Sequence, residues 1–219
     1  MGSPAGRPTK RESNPTDEAT KPRILREALD LFATQGYAGT STRQIAARMD
    51  FSVAALCYHF RFKEDLLSAL VEPLLVQREE ILSAFEAEAP LSLDRKRALL
   101  DTYLTLLLGN VELTRFVSQD ATVRSHPTIG LRLDDGRRRF QDLLVGGEGD
   151  ADDLLATAAI GAFCGPILQL DGFELEGMRG RLVAAALAVL QSGSSRPGSR
   201  AAGRGARRSR RLRPDASVR

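Results

Sequence analysis

Gly39-Thr40-Ser41-Thr42-Arg43-Gln44-Ile45-Ala46-Ala47-Arg48-Met49-Asp50-Phe51-Ser52-Val53-Ala54-Ala55-Leu56-Cys57-Tyr58-His59-Phe60 is the stretch on which the fold turns. It holds two helix starts and one short break. Thr40 or Ser41 can cap the first helix, and Gln44, three residues past Ser41, completes a capping box. Ile45, Ala46 and Met49 share a face, which predicts a helix over 42–49. Asp50-Phe51-Ser52 breaks it, and Ser52 can cap a second helix over 53–60. Ala54, Leu56 and Phe60 are its expected inward residues.

Working outward, Ile24, Leu25, Ala28, Leu29 and Phe32 keep helical spacing. Thr20 is a possible cap for that longer helix, Pro22 fits its first turn, and Gly36 supplies the stop. Two short helices joined by a short turn behind a longer one form a helix-turn-helix layout. Downstream, helical spacing predicts a helix over 63–88 with a bend at Pro73. Further helices are expected over 93–108, 111–118, 127–145, 151–170 and 175–191. Gly146-Gly147-Glu148-Gly149 is a linker. No stretch alternates with period two for long. The fold class is all-α: a three-helix head and a larger helical body.

The chain has 219 residues and a formal net charge of +3. That sum hides a segregation. Residues 1–63 carry 10 Lys/Arg against 6 Asp/Glu, residues 64–191 carry 12 against 21, and residues 192–219 carry 9 against 1. A basic head and tail around an acidic body suggest that part of the chain meets a polyanion. Residues 1–19 and 192–219 offer little to bury and are expected to be disordered. Gly6-Arg7-Pro8 in the first segment could lie in a minor groove or be merely solvated. The tail has the same two readings.

Several classes are excluded or disfavoured. No apolar run reaches the roughly 18 residues of a membrane span, and Met1–Lys10 lacks a secretory apolar segment. Two cysteines, Cys57 and Cys164, make neither a disulfide framework nor a metal knuckle, which fits a reduced cytoplasm. No phosphate loop, dinucleotide loop or His/Cys cluster appears, so no cofactor, metal or catalytic residue is expected. Asp134-Asp135 and Asp152-Asp153 put their members on different helix faces. Arg137-Arg138-Arg139 is simplest as a solvated face. His126 starts a helix or lines a cavity. Cys57 is either a redox-sensing thiol or, more simply, a buried inert one.

The head resembles the TetR family of bacterial transcription repressors. Arg23-Ile24-Leu25, Leu31-Phe32, Gly36-Tyr37, Gly39-Thr40-Ser41, Ile45-Ala46, Ser52, Leu56, Tyr58-His59-Phe60 and Lys63-Glu64-Asp65-Leu66-Leu67 carry the likeness. It covers about residues 20 to 70, and beyond them the likeness is one of architecture only. The resemblance implies that Thr40, Ser41, Thr42 and Arg43 meet phosphate. It implies that Ser52, Val53, Ala54 and Ala55 face base edges, that Tyr58 and His59 touch the DNA backbone, and that Lys63 holds a phosphate. Cys57 stands where many relatives have tyrosine, and Asp50 replaces a common glycine but tolerates left-handed geometry. Phe62 replaces a capping Ser or Asn. Val53, Ala54 and Ala55 offer only methyl contacts, which would shift sequence reading toward Arg43, Arg48 and DNA shape.

The same resemblance implies a homodimer through the last two helices, about 151–191, bound to a double-stranded DNA operator near the nucleoid. The head is expected over 20–68 and the ligand-binding and dimerisation body over 69–191. A small-molecule effector, largely apolar, would sit among Leu104, Leu107, Leu108, Phe116, Phe140 and Phe163. Arg115, Gln119 and His126 are its polar candidates. Movement at Pro73 would then release the operator. The alternative is a DNA-binding protein without an effector, its affinity dominated by the basic tails.

Overall fold

The computed structural model describes residues 15–146, 150–170 and 172–194. The basic arm and tail, with Gly6-Arg7-Pro8, lie outside these residues, as do linker positions 147–149. Among the described residues every element is helical: α1 (Pro15–Gln35), α2 (Thr42–Arg48), α3 (Val53–His59), α4 (Lys63–Glu86), α5 (Leu93–Gly109), α6 (Val111–Gln119), α7 (Ala121–Arg124), α8 (Ile129–Val145), α9 (Asp150–Gln169) and α10 (Gly172–Ser194). The all-α reading holds.

Local chemistry sets most of the boundaries. α1 ends at Gly36, whose φ of 76° suits a residue without a Cβ. Its start differs from expectation: α1 begins at Pro15, so Thr20 and Pro22 lie inside it. Proline at a helix start loses an N–H that would have no helical partner anyway. The α2–α3 turn places Asp50 at φ 56°, the left-handed geometry expected of it. α4 runs unbroken through Pro73. Its cap, Phe62, has no side-chain acceptor, but Asp65 Oδ2 accepts the Phe62 N–H at 2.8 Å and so supplies half of a capping box.

α7 is absent from the sequence reading. It is a single turn capped by Asp120, whose Oδ1 accepts from Thr122 N at 2.9 Å and Val123 N at 3.0 Å. The other oxygen, Oδ2, accepts the Tyr37 N–H at 2.7 Å, across 83 residues of sequence. One carboxylate therefore caps a body helix and ties down the loop after α1. His126 starts α8 by accepting from Thr128 N and Ile129 N on Nδ1, and its Nε2 lies 3.2 Å from Glu64 Oε1.

Two apolar clusters form the interior. The first joins Ile24, Phe32, Ile45 and Leu56 of the head to Leu113, Phe116 and Val123 of the body. Phe32 stacks on Phe116 at 5.6 Å between ring centres. The second gathers Leu82, Leu104, Tyr103, Phe140 and Phe163 with the inner face of α10. The expected boundary at 68/69 falls inside α4, which gives Leu66–Leu75 to the first cluster and Leu82 and Phe85 to the second.

Charge pairs clamp α4 to α8. Arg139 reaches Glu79 at 2.6 Å, Glu86 at 2.7 Å and Ser83 Oγ at 3.2 Å, and Arg132 reaches Glu72 at 2.6 Å. The Arg137-Arg138-Arg139 run is thus not a uniformly solvated face: Arg139 turns inward because it has two carboxylates to meet.

Two outcomes follow. Asp120→Ala removes a helix cap and orphans the Tyr37 N–H. Urea unfolding should show a loss of about 2 kcal/mol. Arg139 holds the carboxyls of Glu79 and Glu86 below their ordinary range by hydrogen bonding. Stability from a depressed carboxylate is present above its unfolded pKa and is lost as pH falls through the folded one. Arg139→Ala should therefore cost at most about 1 kcal/mol at pH 7, since the carboxylates are largely exposed. The difference should vanish by pH 3. A cost that persists there would assign Arg139 to packing instead.

Candidate nucleic-acid interface

The helix-turn-helix is built by its caps. Ser41 Oγ accepts from Gln44 N at 3.3 Å, and Gln44 Oε1 accepts from Ser41 N at 2.8 Å, completing the box. Ser52 Oγ accepts from Ala55 N at 3.1 Å and opens α3. Leu56 and Phe60 are buried and fix the face that α3 turns inward. Its other face is open: Val53 is 42% exposed and Tyr58 68% exposed, with Ala54 and Ala55 exposed beside them. Ala54 is therefore not the inward residue that spacing suggested. His59 is half-buried, with its ring 6.4 Å from that of Phe51 and edge-on to Tyr58 at 5.2 Å.

Among the expected phosphate contacts the structure separates free groups from committed ones. Ser41 and Arg43 are exposed, Thr42 is half-buried, and no carboxylate among the described residues pairs with Arg43. Thr40 differs. It is buried, and its hydroxyl faces Leu31 O at 3.2 Å and Gly36 O at 2.9 Å, so it closes the end of α1. Lys63 differs too. Its Nζ donates to Tyr37 O at 2.7 Å and Thr40 O at 2.9 Å and sits 4.2 Å from the Tyr37 ring centre. Partial burial lowers its pKa while Asp120 opposes that shift. The ammonium staples the loop between α1 and α2 before it can serve a phosphate. Arg48, expected to help read DNA, pairs with Glu27 at 3.1 Å and with Asp30. It joins α2 to α1.

Two features of this surface escaped the sequence reading. Cys57 is exposed, not buried, because α3 is too short to hide more than one stripe. Phe62 is exposed and carries the Arg61 guanidinium 5.2 Å over its ring, which puts a cation at the α3–α4 corner.

The body contains a cavity of about 270 Å³ between α4, α5, α6, α8 and α9. Of the nine expected effector residues, Leu107 lines it. Leu108 lies instead on a more open cleft of about 420 Å³ beside Pro73 and Leu113. Leu104, Phe140 and Phe163 are packed into the second core, and Phe116 into the first. Arg115 donates to the carbonyls of Ile167, at 2.8 Å, and Leu170, so it ties α6 to the end of α9. Gln119 is exposed, and His126 serves α8 and Glu64. The cavity wall is instead Leu74, Arg78, Tyr103, Leu106, Val117 and Ile167, among others. Arg78 sits between Leu74 and Leu82 at helical spacing, a charge on an apolar stripe. That was the available signal.

The sequence profile of the bacterial regulatory proteins of the tetR family matches residues 24–70, the segment holding the head and the start of α4. The chain is 30% identical over 109 residues to YttP, a probable HTH-type transcriptional regulator of Bacillus subtilis, covering 49% of this chain and 53% of that one. It is 43% identical over 54 residues to the class A tetracycline repressor from transposon 1721 of Escherichia coli, 25% of each chain. The chain thus spans about half the length of YttP and a quarter of the tetracycline repressor. The crystal structure of AmtR from Mycobacterium smegmatis shares the fold, with a TM-score of 0.60 at 24% identity over 84% of this chain and 89% of that one. The capped helix-turn-helix and the start of α4 are thus the part of the chain that matches the tetR family of bacterial regulatory proteins, and the helical body shares the fold of AmtR.

Proposed function

We propose that the chain is a homodimeric, sequence-specific DNA-binding regulator, a cytoplasmic repressor released from its operator by a small molecule rather than an enzyme. The observation that carries the reading is the open face of α3, with Val53, Ala54, Ala55 and Tyr58 exposed beside the unpaired Arg43. A capped helix with an exposed face of that size fits a major groove. Ser41 and Thr42 would hold phosphate with Arg43, while Ser52 and the methyl groups behind it would read base edges. His59 would steady Tyr58 against the backbone. Lys63 would position the loop through Tyr37 and Thr40.

The dimer reading rests on α9 and α10. Leu154 is 70% exposed, and Ala158 and Gly161 continue its stripe. On α10, Ala184, Ala185 and Ala188 are exposed opposite the buried Leu182, Val183, Ala186 and Leu187. Small and apolar residues outside, with apolar residues inside, fit a helix buried on two sides. Two copies would form a four-helix bundle and set two heads roughly 34–36 Å apart, one turn of DNA. Release would follow from a ligand between α4 and α8. A shift of α4 or α6 is passed to Tyr37 through Asp120, and typical coupling of ~1–3 kcal/mol weakens binding about 5- to 150-fold.

Selection of genomic fragments by the full chain at physiological salt tests this reading. Enrichment of one two-fold-symmetric sequence is expected, and enrichment of none contradicts it. Arg43→Ala should weaken binding to all sequences alike and lower the salt slope by about one. Arg48→Ala should instead lower stability and leave that slope in place. Ala185→Arg should give a monomer in sedimentation with helical content unchanged. A dimer that survives the change would move the interface elsewhere.

A further inference from the structure

The cavity in the body is not electrically neutral. Arg78, on α4, is only 9% exposed and forms part of its wall. Its guanidinium donates to Leu133 O at 3.4 Å, to Arg132 O and to the Tyr103 hydroxyl, all of them neutral. The two carbonyls lie inside α8, where helical carbonyls already serve the ladder. They do not require the arginine. No carboxylate among the described residues lies within ion-pair distance of it, because the neighbouring ones are committed elsewhere. Glu72 holds Arg132, Glu79 and Glu86 hold Arg139, and Asp134 faces Arg137 at 4.0 Å. A buried cation met only by neutral acceptors keeps its charge uncompensated, which is costly unless something anionic meets it.

The surroundings make room for that partner. A Cβ on Gly136 would collide with the Arg78 guanidinium where it now lies, so glycine at this point of α8 makes room for it. Tyr103 borders the same space. Burial pushes its hydroxyl up to about 12, with Arg78 beside it pulling the other way, so it remains an O–H donor at neutral pH. Cys164, also on the wall, is likewise pushed up to about 12 by burial and stays a thiol. Arg124 and Arg137 line the exposed side, and Asp134 is the one carboxylate on the wall. Every other lining group is apolar or neutral, so the wall favours an anion and disfavours a cation.

We propose that this cavity takes a small organic acid, its anionic group held by Arg78 and its apolar remainder packed against Leu74, Leu106, Leu107, Val117 and Ile167. A volume of about 270 Å³ corresponds to roughly nine waters at ~30 Å³ each, and so to an acid of on the order of ten non-hydrogen atoms. The assignment rests on reading the body as an effector domain, and it gives that effector its chemical class.

Titration calorimetry of the full chain at pH 7 with octanoate, octan-1-ol and octylamine tests it. The acid should bind at least tenfold more tightly than the alcohol, and the amine should not bind. Arg78→Met should keep the fold, since a buried charge is exchanged for an apolar group of similar length, and should abolish the preference for the acid while leaving the alcohol unchanged. Equal affinities of acid and alcohol in the unmodified chain would overturn the assignment, as would a failure of octanoate to bind or an Arg78→Met chain that still prefers it. The comparison of the three ligands needs no variant, so misfolding of Arg78→Met cannot rescue the idea. Acid binding with no loss of operator affinity would sink the released-repressor reading alone. Release by a neutral ligand, with no preference for acids, would sink the acid assignment alone.

Discussion

The whole arrangement depends on the two oxygens of Asp120. One caps α7 through Thr122 N and Val123 N, and the other holds the Tyr37 N–H at the end of α1. Neither job can be moved independently, because the two oxygens belong to one rigid group. Around it, Phe32 stacks on Phe116, and Lys63 binds the Tyr37 and Thr40 carbonyls from the far side of the loop. The head is therefore docked on the body through a loop whose Tyr37 and Thr40 backbone groups are held by Asp120 and Lys63. A head built this way cannot turn freely on its body. A change in the body reaches the head as a movement of the α1–α2 loop.

The same accounting of partners separates structure from surface. Arg48, Thr40 and Lys63 look, by position, like groups that face DNA. Each has a specific partner inside the fold, from Glu27 and Asp30 to Leu31 O and Tyr37 O. Arg43 has no carboxylate partner among the described residues, and Val53, Ala54 and Ala55 on the outer face of α3 are exposed, so these remain available. In the body, seven carboxylates from Glu72 to Asp135 face arginines other than Arg78 among the described residues. Pairing elsewhere is what leaves Arg78 as the informative residue.

Sequence made the helix-turn-helix legible because its determinants are local. Ser41 with Gln44, Ser52, Gly36 and Asp50 each act within a few residues of themselves, and each was identifiable by type and spacing. The start of α1 was misplaced because a proline at position 22 looked like a first turn, when Pro15 already supplied one. The single turn of α7 was invisible: four residues are too few to show a period, and its cap is shared with a residue 83 positions away. The cavity was the least legible part. Helical spacing says that Leu104, Phe140 and Phe163 point inward, but not whether they meet another side chain or a void. Here they meet one another, with Tyr103 stacked on Phe140 at 4.2 Å. The residues that do line the cavity sit where α4 and α8 are held apart by a guanidinium.

Native-state hydrogen exchange, comparing the buried Ile45 of the head with the buried Leu104 of the body, tests the central claim that the head is welded to the body. Cooperative units reveal themselves by a common opening free energy. The two amides should open together, with the same free energy and the same dependence on denaturant. If Ile45 exchanges through a separate opening of lower free energy while Leu104 stays protected, the head is an independent unit, and Asp120 does not couple it to the body.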